Sequence, residues 1–186
     1  MTKGSLKGFS FEREICKELS FWWTEDERDD VFWRTSGSGG RATERLKKGK
    51  LTSNSYGDMM AIDPIGQPLI DFCFVEIKRG YTKDVSVLDF VDKNKGTPIL
   101  LDWWKEATDK ISKTKQKEIL IIFKRDRHKK CIMFSNRFFG DIKDHYGDVF
   151  DGFYISIMNG DFDVTIASYQ DFLDLVNPDL FTMIKR

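Results

Sequence analysis

A glutamate and a lysine one residue apart, Glu76-Ile77-Lys78, close the apolar run Phe72-Cys73-Phe74-Val75. Such a run reads as strand, where side chains alternate between faces, so Glu76 and Lys78 share one face and Ile77 takes the other. Charge in a buried strand is costly to desolvate and is kept where it is paired or used. Upstream, Tyr56-Gly57-Asp58 supplies a second carboxylate. Two carboxylates at close range repel, and a hard divalent cation satisfies both. Magnesium accepts such a set: one or two carboxylates, a backbone carbonyl such as that of Ile77, waters and a substrate phosphate. Lys78 could then position or deprotonate an attacking water and offset charge building on that phosphate. Glu-x-Lys alone is common and reads equally as a salt bridge at a strand edge. The apolar strand before it, the upstream Gly-Asp and the turn formers between them favour phosphate chemistry.

The elements that must position these residues can be laid out from periodicity. Phe11, Ile15, Leu19 and Trp22 or Trp23 recur at helical spacing and predict an amphipathic helix over residues 10–23. Residues 31–35 (Val-Phe-Trp-Arg-Thr) predict a short strand. Residues 36–50, glycine- and serine-rich and then basic, predict a loop suited to close backbone approach to a ligand. Strands are expected over 56–62 and, longer, over 68–78. The turn formers Asp63-Pro64-Ile65-Gly66-Gln67-Pro68 between them suggest an antiparallel hairpin that brings Asp58 alongside Glu76. A helix within 100–117 carries Trp104, Ala107 and Ile111 on one stripe. Residues 118–123 form an apolar run typical of a buried central strand, with 131–134 as its neighbour. Residues 153–158 and 162–166 flank Asn159-Gly160-Asp161, a hairpin turn, and Ser168 with Asp171 caps a last short helix before Pro178. The fold class is therefore α/β with a mixed central sheet.

The chain has 186 residues, with sixteen Phe and five Trp to fill a core. A single domain is expected, with a core over about 8–135 and an extension, 138–186, packed on it. No apolar run reaches membrane-spanning length and no leader pattern stands at the start, so neither a membrane partner nor a signal peptide is expected. Three scattered cysteines (Cys16, Cys73, Cys131) suggest buried thiols in a reducing cytosol. Net charge is zero, but its distribution is uneven. Arg41, Arg45, Lys47, Lys48 and Lys50 form one basic run and Lys124, Arg125, Arg127, Lys129 and Lys130 a second. Asp141, Asp144, Asp148, Asp151, Asp161 and Asp163 lie in the C-terminal part. This segregation is compatible with a polyanion-binding face and an acidic far side. Either basic run taken alone reads as a solvated loop.

Gly57-Asp58 followed by Phe74-Val75-Glu76-Ile77-Lys78 resembles the metal-binding core of the PD-(D/E)xK nuclease superfamily. Gly8-Phe9-Ser10-Phe11-Glu12-Arg13-Glu14-Ile15 resembles the first helix of archaeal Holliday-junction resolvases and their relatives. Arg34-Thr35-Ser36-Gly37-Ser38-Gly39 resembles the loop that precedes their metal-binding aspartate. The pieces stand in the family's order. The wording of the chain is also similar to small bacteriophage and prophage proteins carrying this nuclease core. The resemblance implies a restriction-endonuclease-like fold and a Mg²⁺-dependent endonuclease, with Mn²⁺ able to substitute, working in the bacterial host cytoplasm. By it Asp58, Glu76 and Lys78 are catalytic, and Glu12 is a third acidic residue reaching the metal directly or through water. The metal set is then Asp58, Glu76, the Ile77 carbonyl and Glu12. Arg34, Ser36 or Ser38, and the basic loop (Arg41, Arg45, Lys47, Lys48, Lys50) would contact DNA. A homodimer is implied, since a four-way junction needs two symmetric nicks. The sequence departs from the pattern at Gly57, where the superfamily has proline, and in a longer, more basic insertion over 41–55.

Other readings compete. One is a restriction-like or end-processing nuclease on linear DNA, and another is a non-catalytic DNA-binding or packaging accessory protein. The last is an ordinary α/β interaction domain. His128 and His145 lack partners for a nucleophilic triad, no Gly-x-Ser-x-Gly elbow is present, and Gly37-Ser38-Gly39-Gly40 lacks a Gly-Lys-Ser ending. Trp22-Trp23 and Trp103-Trp104 could stack on bases, but their helical spacing favours core and interface.

Overall fold

Two apolar faces of one sheet organise the protein. The structure, a computed structural model, describes residues 3–35, 57–80, 85–147, 152–160 and 162–184. In chain order its elements are α1 (Lys3–Trp23), β1 (Phe32–Arg34), β2 (Met59–Ala61), α2 (Gln67–Phe72), β3 (Cys73–Arg79), α3 (Asp89–Asp92) and α4 (Ile99–Ile111). There follow β4 (Glu118–Lys124), β5 (Lys130–Ser135), α5 (Asn136–Tyr146), β6 (Tyr154–Asn159), β7 (Phe162–Ser168), α6 (Tyr169–Leu175) and α7 (Leu180–Met183). Five strands form a mixed sheet in the order β3-β4-β5-β7-β6. β3 and β4 are parallel and the other pairs antiparallel. β1 and β2 form a separate antiparallel pair.

The strand period sorts the core. Val75 and Ile77 of β3 and Leu120 and Ile122 of β4 point to one side. There they meet Phe11, Ile15 and Leu19 of α1, Phe138 of α5, Phe172 of α6 and Phe181 of α7. Phe74, Ile119, Ile121 and Phe123 point to the other side, against Leu100, Trp103, Trp104 and Ala107 of α4. Coverage of both faces explains why residues 118–123 read as an unbroken apolar run. Residues beyond Phe138 carry part of this architecture: β7 lies inside the sheet between β5 and β6.

The mixed α/β class agrees with the sequence, as do β4, β5, the β6–β7 hairpin and α4. Ser168 caps α6 through the Asp171 amide, and α6 stops before Pro178. Two expectations are corrected. The first helix starts at Lys3 and not at residue 10; periodicity marks a helix only where it packs. The longer strand expected over 68–78 is instead a helix followed by a strand, and no β2–β3 hairpin forms. Asp63 Oδ1 accepts the Ile65 amide and starts a 3₁₀ turn over Pro64–Gly66. Pro68 then sits in the first turn of α2, where its missing donor costs nothing. Leu69, Ile70 and Phe72 are buried from a helix, so an apolar run too short to show a period concealed the change.

The three cysteines are free; Cys16 and Cys73 are buried and Cys131 is half-buried. Both tryptophan pairs serve packing. Trp103 and Trp104 are buried in the α4 core, while the Trp22 indole donates to the Leu173 and Val176 carbonyls and Trp23 to that of Ile65. Among the described residues no helix is long and apolar enough to cross a membrane.

Candidate active site

β3 is an edge strand, and its outer edge is where Asp58 arrives. The Asp58 amide donates to the Val75 carbonyl at 2.8 Å, and the Ile77 amide donates to Asp58 Oδ2 at 2.8 Å. Asp58 therefore reaches β3 without the expected hairpin, by a backbone bridge and a carboxylate cap. Gly57 makes the approach possible. Its φ is +80°, and a Cβ there would lie 2.4 Å from the Val75 carbonyl oxygen. On the far side Thr35 clamps the same dipeptide: its Oγ1 donates to the Gly57 carbonyl at 2.8 Å and its amide to the Asp58 carbonyl at 3.0 Å. In a parallel ladder a residue's N–H and C=O point the same way. The Ile77 carbonyl thus faces the edge that Asp58 occupies.

Glu76 and Lys78 project from the α4 side of β3, as alternation from Phe74 requires. Glu76 is 4% exposed and carries an ammonium on each oxygen: Lys78 Nζ at 2.8 Å from Oε2 and Lys110 Nζ, from the last turn of α4, at 2.6 Å from Oε1. Burial works against ionisation of Glu76, yet Lys78 and Lys110 outweigh it and hold its pKa below the ordinary carboxylate range. Burial likewise opposes the charge on Lys78, but Glu76, then Asp58 and Glu106, raise its pKa. Asp58 goes the other way. Burial and then the charge of Glu76 push its pKa up to about 7, against the Ile77 N–H and Lys78. Asp58 is thus a buried carboxylate with more negative charge around it than its surroundings neutralise, which is the condition a cation relieves.

Asp58 and the Ile77 carbonyl are hard oxygen donors at the outer edge of β3, and Glu76 stands beside them on the α4 face, near enough for its charge to raise the pKa of Asp58. This is the small protein share that magnesium takes when waters and substrate complete its shell. The donor set fits a divalent ion on these grounds. Among the described residues no group of three His, Cys, Asp or Glu side chains is placed to hold a metal. Glu12 lies on α1, on the opposite face of the sheet from Glu76; its charge is felt at Asp58, but its Oε2 accepts Arg34 Nε at 2.7 Å. Arg34 also stacks over Phe9, 4.2 Å from the ring centre. Ser36, Ser38, Arg41, Arg45, Lys47, Lys48 and Lys50 lie outside the described residues. In the second basic run Lys130 is taken up by Glu14 and Glu18 of α1.

Two residues at the site escaped the sequence reading. Thr35 looked like the end of a strand. Lys110 drew no reading at all, although Trp103, Ala107 and Lys110 follow one another at helical spacing and so share a face.

A family model described as "Phage putative PDDEXK endonuclease" matches residues 3–182. The chain belongs to this PD-(D/E)xK endonuclease family. No match was found among curated proteins or solved structures. The mixed sheet flanked by helices is consistent with the restriction-endonuclease-like core of a PD-(D/E)xK nuclease. The match runs through β7, α6 and α7, so the part beyond Phe138 lies within the family's span. PD-(D/E)xK nucleases act on DNA and generally depend on divalent metal.

Proposed function

We propose that this PD-(D/E)xK nuclease hydrolyses DNA phosphodiester bonds at branched structures, four-way junctions foremost, as a homodimer with Mg²⁺ as its ion and Mn²⁺ as a substitute. The observation that carries the catalytic part is the Asp58 carboxylate tied to the Ile77 amide at the strand end that bears Glu76 and Lys78. Asp58, Glu76 and the Ile77 carbonyl hold the cation, which supplies Lewis acidity at the scissile phosphate. Lys78, anchored on Glu76, donates to the attacking water or to a phosphate oxygen and offsets charge there. Glu12 supports the site from α1 and is the residue that Arg34 holds in register. Arg34, Ser36 or Ser38, and Arg41, Arg45, Lys47, Lys48 and Lys50 contact the DNA backbone, so affinity falls as salt rises.

The preference for branched DNA rests on the likeness of residues 8–15 and 34–39 to junction resolvases. The test is cleavage of a labelled four-way junction and a linear duplex of the same sequence, with Mg²⁺, by wild type and Glu76→Ala. Metal-dependent junction cutting that disappears in the variant is expected. Equal cutting of linear duplex would remove the branched-DNA assignment. DNA binding without cleavage of either would remove the catalytic one.

A further inference from the structure

Glu76 has two oxygens and two ammonium partners, and the partners are not equivalent. Lys78 is held on β3 itself, and its side chain is 18% exposed. Lys110 approaches from α4 with its side chain 46% exposed, at the boundary with solvent. A cation that binds Glu76 must displace positive charge from it, and the exposed, four-carbon arm of Lys110 is the one that leaves at little cost in burial. We propose that Lys110 is a metal-exchanged phosphate-positioning residue. It neutralises Glu76 in the metal-free protein and, once released, presents its ammonium to the DNA phosphate at the same site. The inference rests on the reading of Glu76 as a metal ligand.

Three features support the exchange. Lys110 Nζ sits 2.6 Å from Glu76 Oε1, so it covers the atom a cation needs. Its side chain roots in the last turn of α4, where a cation is favoured by the helix dipole and can stay nearby after leaving Glu76. Glu106, one turn earlier on α4 and exposed, offers a resting partner at the i,i−4 spacing. Removing the ammonium then has two opposite effects, since metal binding loses a competitor while DNA binding loses a cation.

The test uses the full chain with Lys110→Gln and Lys110→Arg. Calorimetric titration with Mn²⁺ in the absence of DNA should show Lys110→Gln binding the ion about fivefold more tightly, the scale of a partly exposed ion pair. DNA binding in Ca²⁺ should weaken for Lys110→Gln, with the slope of log affinity against log salt reduced by about one. Lys110→Arg should restore that slope. Unchanged or weaker Mn²⁺ binding by Lys110→Gln, or an unchanged salt slope, overturns the proposal and leaves Lys110 as a brace for Glu76. Glu76→Gln separates this failure from that of the underlying reading. Mn²⁺ affinity that survives Glu76→Gln overturns both; affinity lost there yet not tightened in Lys110→Gln overturns only the exchange.

Discussion

Replacing Asp58 by asparagine should make the metal-free protein more stable while removing its metal response. Asp58 is 8% exposed, and its pKa is raised from 3.8 to about 7, first by burial and then by Glu76. A carboxyl with a raised folded pKa prefers its proton in the folded state. The linked stability is fully present below the unfolded pKa and is lost as pH rises through the folded one. Wild type in EDTA therefore weakens by about 1.4 kcal/mol per pH unit between roughly pH 4 and 7, for a total of about 4 kcal/mol at pH 8. The side-chain amide of Asp58→Asn keeps an oxygen for the Ile77 N–H but carries no charge to bury. It gives up a charge-assisted hydrogen bond for a neutral one, a loss of about 1 kcal/mol. The net expectation at pH 8 is a variant more stable by about 2–4 kcal/mol, with the gap closing as pH falls toward 4. Urea unfolding in EDTA across that range measures it, and Mn²⁺ should then raise the wild-type midpoint alone. A stability advantage of Asp58→Asn that is absent at pH 8, or equal at pH 5 and pH 8, would refute the argument that Asp58 is an under-neutralised buried carboxylate.

Three further outcomes follow from the packing. Gly57→Ala places a methyl 2.4 Å from the Val75 carbonyl oxygen at a positive φ, so it should cost more than about 2 kcal/mol in denaturant and pull Asp58 off β3. Phe172→Ala, in the part of the chain beyond the sequence motifs, empties a site that is 1% exposed and should cost about 3–5 kcal/mol. Arg34→Met leaves Glu12 without its 2.7 Å partner and should lower stability at neutral pH by about 1–3 kcal/mol. Adding Glu12→Gln should recover much of that loss, and a double-mutant cycle with no coupling would show the pair to be idle.

The parts of the fold legible in the sequence are those where one physical signal dominates. Glu118–Lys124 is apolar on both sides because both faces of β4 are covered, and the Ser168 cap and Asn159-Gly160 turn are local chemistry. Pro68–Phe72 misled because its burial signal does not depend on the element that delivers it, and the deciding information was the Asp63 cap before it. Residues 136–146 escaped although Ser135 caps that helix through the Phe138 amide. At the site, Glu76 and Lys78 were readable because alternation fixes their shared face. The approach of Asp58 was expected for the wrong reason. A hairpin was inferred, whereas the bridge depends on Gly57 and on Thr35, whose contact spans 22 positions and has no local trace. Lys110 lies 34 positions from Glu76, and only its place below Trp103 and Ala107 hinted that it faces the sheet.

The bridge of Asp58 to β3 has a consequence for solubility. The outermost strand of a sheet offers unpaired amides and carbonyls to any passing extended chain, a template for adding strands without limit. Here the Val75 carbonyl is closed by the Asp58 amide and the Ile77 amide by the Asp58 carboxylate. The aspartate of the candidate site is thus also a stopper against self-association. Its replacement by alanine would leave the backbone bridge to Val75 but free the Ile77 amide, which asparagine keeps capped.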